Sequence, residues 1–99
     1  MKLQVQSIHF DADQKLLDFI QRKADKLETF HDNIIDGEVY LKLDKDNSDQ
    51  NKVVEMKVQV PGKTLFAKEQ CKSFEEGADS AVDSLRRQIK KHKEKLRAV

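Results

Sequence analysis

The chain has 99 residues, of which 37% are hydrophobic and 37% charged, with a formal net charge of +1. That length suits one domain with one modest core, and its apolar residues recur too regularly for a disordered chain. A single cysteine, Cys71, excludes an internal disulfide, and no stretch approaches the ~18 apolar residues of a membrane span.

In chain order, residues 2–8 alternate around Leu3 and Val5, which predicts a first strand. Asp11 or Asp13 can cap the helix that follows, over about 13–30. Leu16, Leu17, Ile20, Ala24 and Leu27 share one face of it, with Lys15, Arg22 and Lys26 on a flank and Lys23 nearer the apolar edge. Asp32 and Asn33 break that pattern. Ile35, Val39, Leu41 and Leu43 then predict a second strand over 35–43. The polar run DKDNSDQN at 44–51 reads as a hairpin loop. A third strand over 52–60 turns Val54, Met56, Val58 and Val60 to one side. Pro61-Gly62 suits a type I or type II turn into a fourth strand over 64–71.

Ser73 opens SFEE, which has capping-box spacing to Glu76. The last helix runs to about Leu96 along a stripe of Phe74, Ala78, Ala81, Val82, Leu85, Ile89, His92 and Leu96. The order β-α-β-β-β-α implies an α+β two-layer sandwich. A four-stranded sheet, parallel in its first βαβ unit, would bury one face under both helices.

The near-zero net charge hides a strong asymmetry. Residues 1–85 carry 12 Lys/Arg against 17 Asp/Glu, a net −5, while residues 86–99 carry 7 against 1, a net +6. Acidic residues near the start of the last helix and cations near its end match the helix dipole. The dipole explains the sign but not the density. Arg86–Lys90, Arg87–Lys91, Lys91–Lys95 and Lys93–Arg97 are like-charge i,i+4 pairs, each costing roughly 0.2–0.5 kcal/mol. Such repulsion is relieved by a polyanion, and nucleic acid fits better than a membrane because the sheet claims the apolar stripe. The expected RNA-binding residues are Arg86, Arg87, Lys90, Lys91, Lys93 and Lys95, extended by Arg22, Lys23 and Lys26 of the first helix. Few aromatics are present, so binding should read backbone and shape more than bases.

Other chemistry finds little support. Gly62-Lys63-Thr64 resembles the end of a phosphate-binding loop, but that loop needs a glycine where Lys57 stands. His9, His31 and His92 share no metal-ligand spacing with Cys71, and His92 on the apolar stripe reads as a packed residue. No catalytic constellation, cofactor or metal is expected. The N-terminus MKLQVQSIHF has no apolar signal core, so a soluble, cytoplasmic protein is expected.

The run VPGKTLFA at 60–67, a short acidic helix start, and AVDSLRRQIKK at 81–91 together resemble the ribosome hibernation-promoting factor family, which includes the ribosome-associated inhibitor. IHF at 8–10, KLE at 26–28 and IID at 34–36 are similar too, so the resemblance spans essentially the whole chain. Within the family's basic helix pattern, Leu85, Arg87, Gln88 and Ile89 match or substitute conservatively, and Lys91 fits the closing basic position. Ser84 stands where a lysine is common and Arg86 where a glutamate is common, with Lys90 and Lys93 placed to compensate. The resemblance is to the short type, and it implies one ribosome-binding domain over 1–99, monomeric off the ribosome. It implies binding to small-subunit rRNA near the decoding region, blocking mRNA and tRNA sites, with no small-molecule substrate. Two rivals share the basic helix: a double-stranded-RNA-binding module acting on free RNA, and an interaction protein docking on an acidic partner.

Overall fold

The computed structural model describes residues 1–29, 33–45 and 49–97, with the backbone alone for 96 and 97. Its elements are β1 (Leu3–Ser7), α1 (Gln14–Asp25), a 3-10 turn (Lys26–Thr29), β2 (Asp36–Leu43), β3 (Lys52–Val60), β4 (Lys63–Cys71) and α2 (Phe74–Arg97). The sheet order is β1-β2-β3-β4, parallel between β1 and β2 and antiparallel elsewhere. This is the expected α+β sandwich. His31, Asp32, the centre of the 44–51 loop and the side chains of 96 and 97 lie outside the described residues.

Period-two alternation sets the sheet's inner face. Val39 pairs with Met56 and Met56 with Ala67, while Gly37, Val58 and Leu65 form the next row. Ile20, Ala24 and Leu27 from the first helical segment, and Ala78, Ala81, Leu85 and Ile89 from α2, close over these rows with no exposed surface. Each buried Leu, Ile, Val or Met there contributes about 1.5–3 kcal/mol relative to exposure. Gly77 permits this closeness, since a Cβ at that position would lie 2.6 Å from Val54 Cγ2. The opposite sheet face is a charged mosaic in which Lys42 pairs with Glu55 at 2.5 Å and Tyr40 donates to Glu38 at 3.0 Å.

Local chemistry starts each helix. Asp13 Oδ1 accepts from the Leu16 N–H at 2.8 Å, and Ser73 Oγ accepts from the Glu76 N–H at 3.1 Å. Phe10 stacks on Phe74 with ring centroids 5.0 Å apart, joining the two helix starts. His9 takes a left-handed φ of 66° to present Phe10, a conformation histidine tolerates better than most residues. Gly62, at φ 81°, selects the type II turn.

Two expectations need correction. The first α-helix ends at Asp25, not near residue 30, because the Lys26 N–H bonds to the Lys23 carbonyl and winds the chain into a 3-10 turn that buries Leu27. Strand two begins at Asp36, not residue 35, and Ile35 and Leu43, grouped by the alternation with buried Val39 and Leu41, are 55% and 47% exposed. They lie at the ends of the strand's alternation, beyond the cover of the helices.

Candidate nucleic-acid interface

The crossover helix α1 and the terminal helix α2 pack on one face of the sheet, and the strand directions make them run the same way. With 24 residues, α2 spans about 36 Å, twice the length of the 12-residue α1. Its acidic first half lies beside α1, and its basic second half continues along the sheet.

Two contacts fix the rotation of α2 about its axis. Toward α1, Asp79 Oδ1 takes the Lys23 ammonium at 3.0 Å. Toward the sheet edge, Gln88 Nε2 donates to the Phe66 carbonyl at 2.8 Å and to Ser84 Oγ at 3.2 Å. At about 100° per residue, Arg86, Lys90 and Lys93 follow Asp79 on the flank toward α1. Lys91 and Lys95 follow Gln88 on the flank toward β4, and Arg87 lies near the crest. The cations thus coat α2 on both sides of its crest. Arg86, Arg87, Lys90, Lys91 and Lys95 are exposed, and Lys93 is half-buried.

One carboxylate meets two of these cations. Asp83 accepts from Arg86 Nη2 at 2.9 Å and lies 3.7 Å from Arg87 Nη2. The Arg86 hydrogen bond holds the Asp83 carboxyl below its ordinary value of 3.8, and the charges of Arg86 and Arg87 add to this. The i,i+3 partner Arg86 lies closer to Asp83 than the i,i+4 partner Arg87. Lys90 and Lys91 make no ion pair among the described residues.

The first helix supplies its cations unequally. Arg22 and Lys26 are exposed on the flank that faces α2, whereas Lys23 is only 26% exposed and ties the helices together through Asp79. Its ammonium also lies 5.5 Å from the centroid of the Phe19 ring. Sequence reasoning passed over Phe19 and the bond from Gln88. An aromatic residue three and four positions before Arg22 and Lys23 was the available signal for the first. Nothing local marks the second, because Phe66 belongs to another element.

Catalytic alternatives gain nothing. Burial pushes the Cys71 thiol up, and Glu69 and Glu76 push it further, so it stays protonated and a poor nucleophile. Among the described residues no three His, Cys, Asp or Glu side chains gather as metal ligands, and no helix is long and apolar enough to cross a membrane.

Residues 3–97 match the model of a family described as "Sigma 54 modulation protein / S30EA ribosomal protein". The chain belongs to the S30EA family. Among its relatives is the ribosome hibernation promoting factor of Pseudomonas putida, 29% identical over 99 residues that cover 100% of this chain and 93% of the relative. The factor of the same name from Klebsiella oxytoca is 28% identical, covering 98% of each chain. The ribosome hibernation promotion factor of Bacillus subtilis is 28% identical over 97% of this chain and 50% of its own length. In fold, this S30EA member superimposes on the Thermus thermophilus Protein Y N-terminal domain with a TM-score of 0.81 at 22% identity, covering 93% of this chain and 99% of that one. A ribosomal subunit interface protein from Coxiella burnetii gives a TM-score of 0.82 at 20% identity, covering 94% and 98%. The family resemblance read from the sequence is therefore correct.

Proposed function

We propose that this protein binds the small ribosomal subunit through rRNA phosphates near the decoding region, blocks the mRNA and tRNA sites, and so holds idle ribosomes inactive in the cytoplasm. A single domain over 1–99 does this by occupancy, without chemistry, and is monomeric off the ribosome. The observation that carries the reading is the basic second half of α2, where Arg86, Arg87, Lys90, Lys91 and Lys95 are exposed and crowd along one helix, with Asp83 pairing to Arg86 and Arg87. Arg22 of α1 and Lys26 of the 3-10 turn add to that surface. Lys23 serves mainly to hold the two helices in register.

Phosphate contacts give affinity with little base selectivity, and they release counterions. With about six such contacts, affinity falls roughly 10³-fold between ~50 and ~200 mM salt. The test is co-sedimentation with purified ribosomal subunits at ~100 mM salt, repeated with Arg87→Glu and Lys91→Glu combined. Both side chains are exposed and lie off the core, so the variant folds while each substitution turns an attraction into a repulsion. Binding to small subunits should collapse. Normal pelleting of the double variant, or a flat salt response, refutes the reading. Preference for free RNA duplex over small subunits in a competition assay would favour a general RNA-binding module instead.

A further inference from the structure

The flank of α1 that faces α2 holds a more specific feature than a charged surface. Two hollows open there, and both are lined by Phe19 and Arg22. The larger runs past Asp13, Asp18 and Glu75 and is mixed in charge. The smaller, about 300 Å³, is walled by Phe19, Arg22, Lys23 and Lys26, so one aromatic ring sits among three cations with no carboxylate in the lining.

These walls are held in different ways. Phe19 is half-buried and packs against the core, which fixes its ring. Lys23 is drawn inward by Asp79 and over the Phe19 ring, so its charge is partly answered within the protein. Arg22 and Lys26 are exposed and make no ion pair among the described residues. They stand at i,i+4, a like-charge spacing that weakens a helix unless an anion lies between them.

A fixed ring beside two unanswered cations matches a planar base carrying a phosphate. Bases stack on aromatic rings and on guanidinium planes whatever their identity, and phosphate oxygens take charge-assisted hydrogen bonds from Arg and Lys. A duplex does not suit the hollow, because its bases are stacked on one another and the space is that of a single residue. We propose that Phe19, Arg22 and Lys26, with Lys23 as the inner wall, form a pocket for one unstacked nucleotide. The base lies against Phe19 and the phosphate between Arg22 and Lys26. This rests on the RNA-binding reading and deepens it, since α2 then supplies sequence-blind affinity while α1 selects RNA that can present a free nucleotide. The nucleotide is either part of an RNA chain or free in solution.

The test titrates the full chain with a single-stranded RNA tetranucleotide, AMP and inorganic phosphate while NMR follows the Phe19 ring resonances. Saturable ring-current shifts are expected with the tetranucleotide and not with phosphate. By fluorescence anisotropy of labelled tetranucleotide, Phe19→Leu should bind roughly tenfold more weakly, and Phe19→Tyr should restore binding. Arg22→Gln changes an exposed side chain off the core and should weaken binding severalfold, with a shallower salt dependence. If AMP shifts the ring as the tetranucleotide does, the pocket takes free nucleotides; if only the tetranucleotide does, it takes a nucleotide within a chain. Wild-type affinity in Phe19→Leu, or no ring-current shift with either nucleotide probe, overturns the pocket. Co-sedimentation with small subunits separates the two levels. If Phe19→Leu pellets normally and binds the tetranucleotide like wild type while Arg87→Glu/Lys91→Glu fails to pellet, only the pocket falls. If both pellet normally, the RNA-binding reading falls as well.

Discussion

The Gln88 side-chain amide donates to the Phe66 carbonyl at 2.8 Å, pinning the middle of α2 to the edge strand β4. The bond occupies a backbone acceptor on a strand with no further neighbour, and it sets which flank each cation of α2 takes. Gln88→Ala removes it and leaves that carbonyl to water. Stability should fall by about 1 kcal/mol, seen as a lower urea midpoint at unchanged slope. An unchanged midpoint would mean that the contact adds nothing to the fold.

Gly77 and Val54 mark where α2 comes closest to the sheet. A methyl group at position 77 would lie 2.6 Å from Val54 Cγ2, too close without a shift of helix or strand. Overpacking of this kind costs about 1–3 kcal/mol, which outweighs the ~1 kcal/mol that alanine gains over glycine in a helix. Gly77→Ala should therefore lower the melting temperature despite its better helix propensity. Combining it with Val54→Ala should destabilise less than the two single effects added, and a double-mutant cycle by thermal denaturation measures that coupling.

On the RNA-binding reading proposed above, Asp83 is a competitor of phosphate for Arg86 and Arg87. Asp83→Asn removes the carboxylate charge beside both guanidinium groups and should tighten small-subunit binding roughly two- to fivefold at low salt, the range expected for exposed ion pairs. The gain should shrink as salt screens the pair. The same pair leaves a pH signature. Because the folded Asp83 carboxyl titrates below its ordinary value of 3.8, its pairing stabilises the fold fully above that value and is lost as the pH falls through the folded value. Carboxyl ¹³C shifts should place the Asp83 midpoint below 3.8 in the native protein and closer to it in Arg86→Gln.

By itself the sequence determined the order of the elements, the inner face of the sheet, the cap of the last helix and the sign of the charge on α2. Each depends on residues close together in the chain: alternation in strands, three-and-four spacing in helices, and an oxygen-bearing side chain beside exposed N–H groups. Ser73, Met56 and Leu85 occupy the roles their local spacing assigns, and of the two cap candidates Asp11 and Asp13 the fold uses Asp13. Even so, local periodicity overran at the ends. It carried the first helix past Asp25 and grouped exposed Ile35 and Leu43 with buried Val39 and Leu41, because it does not register where the opposing layer stops.

Only the tertiary structure decided what lies on either side of each helix. Spacing shows that Arg86 and Lys91 leave α2 on different flanks, but not that one flank meets α1 and the other β4. The pairing of Lys23 with Asp79, the bond from Gln88 to Phe66 and the hollow around Phe19 depend on how separate elements are brought together. The sequence marked α2 as a dense cationic surface. The fold divided that surface into two flanks, assigned Lys23 to internal bracing, and set Phe19 beside Arg22 and Lys26, because the packing of both helices on one sheet face fixes their rotation.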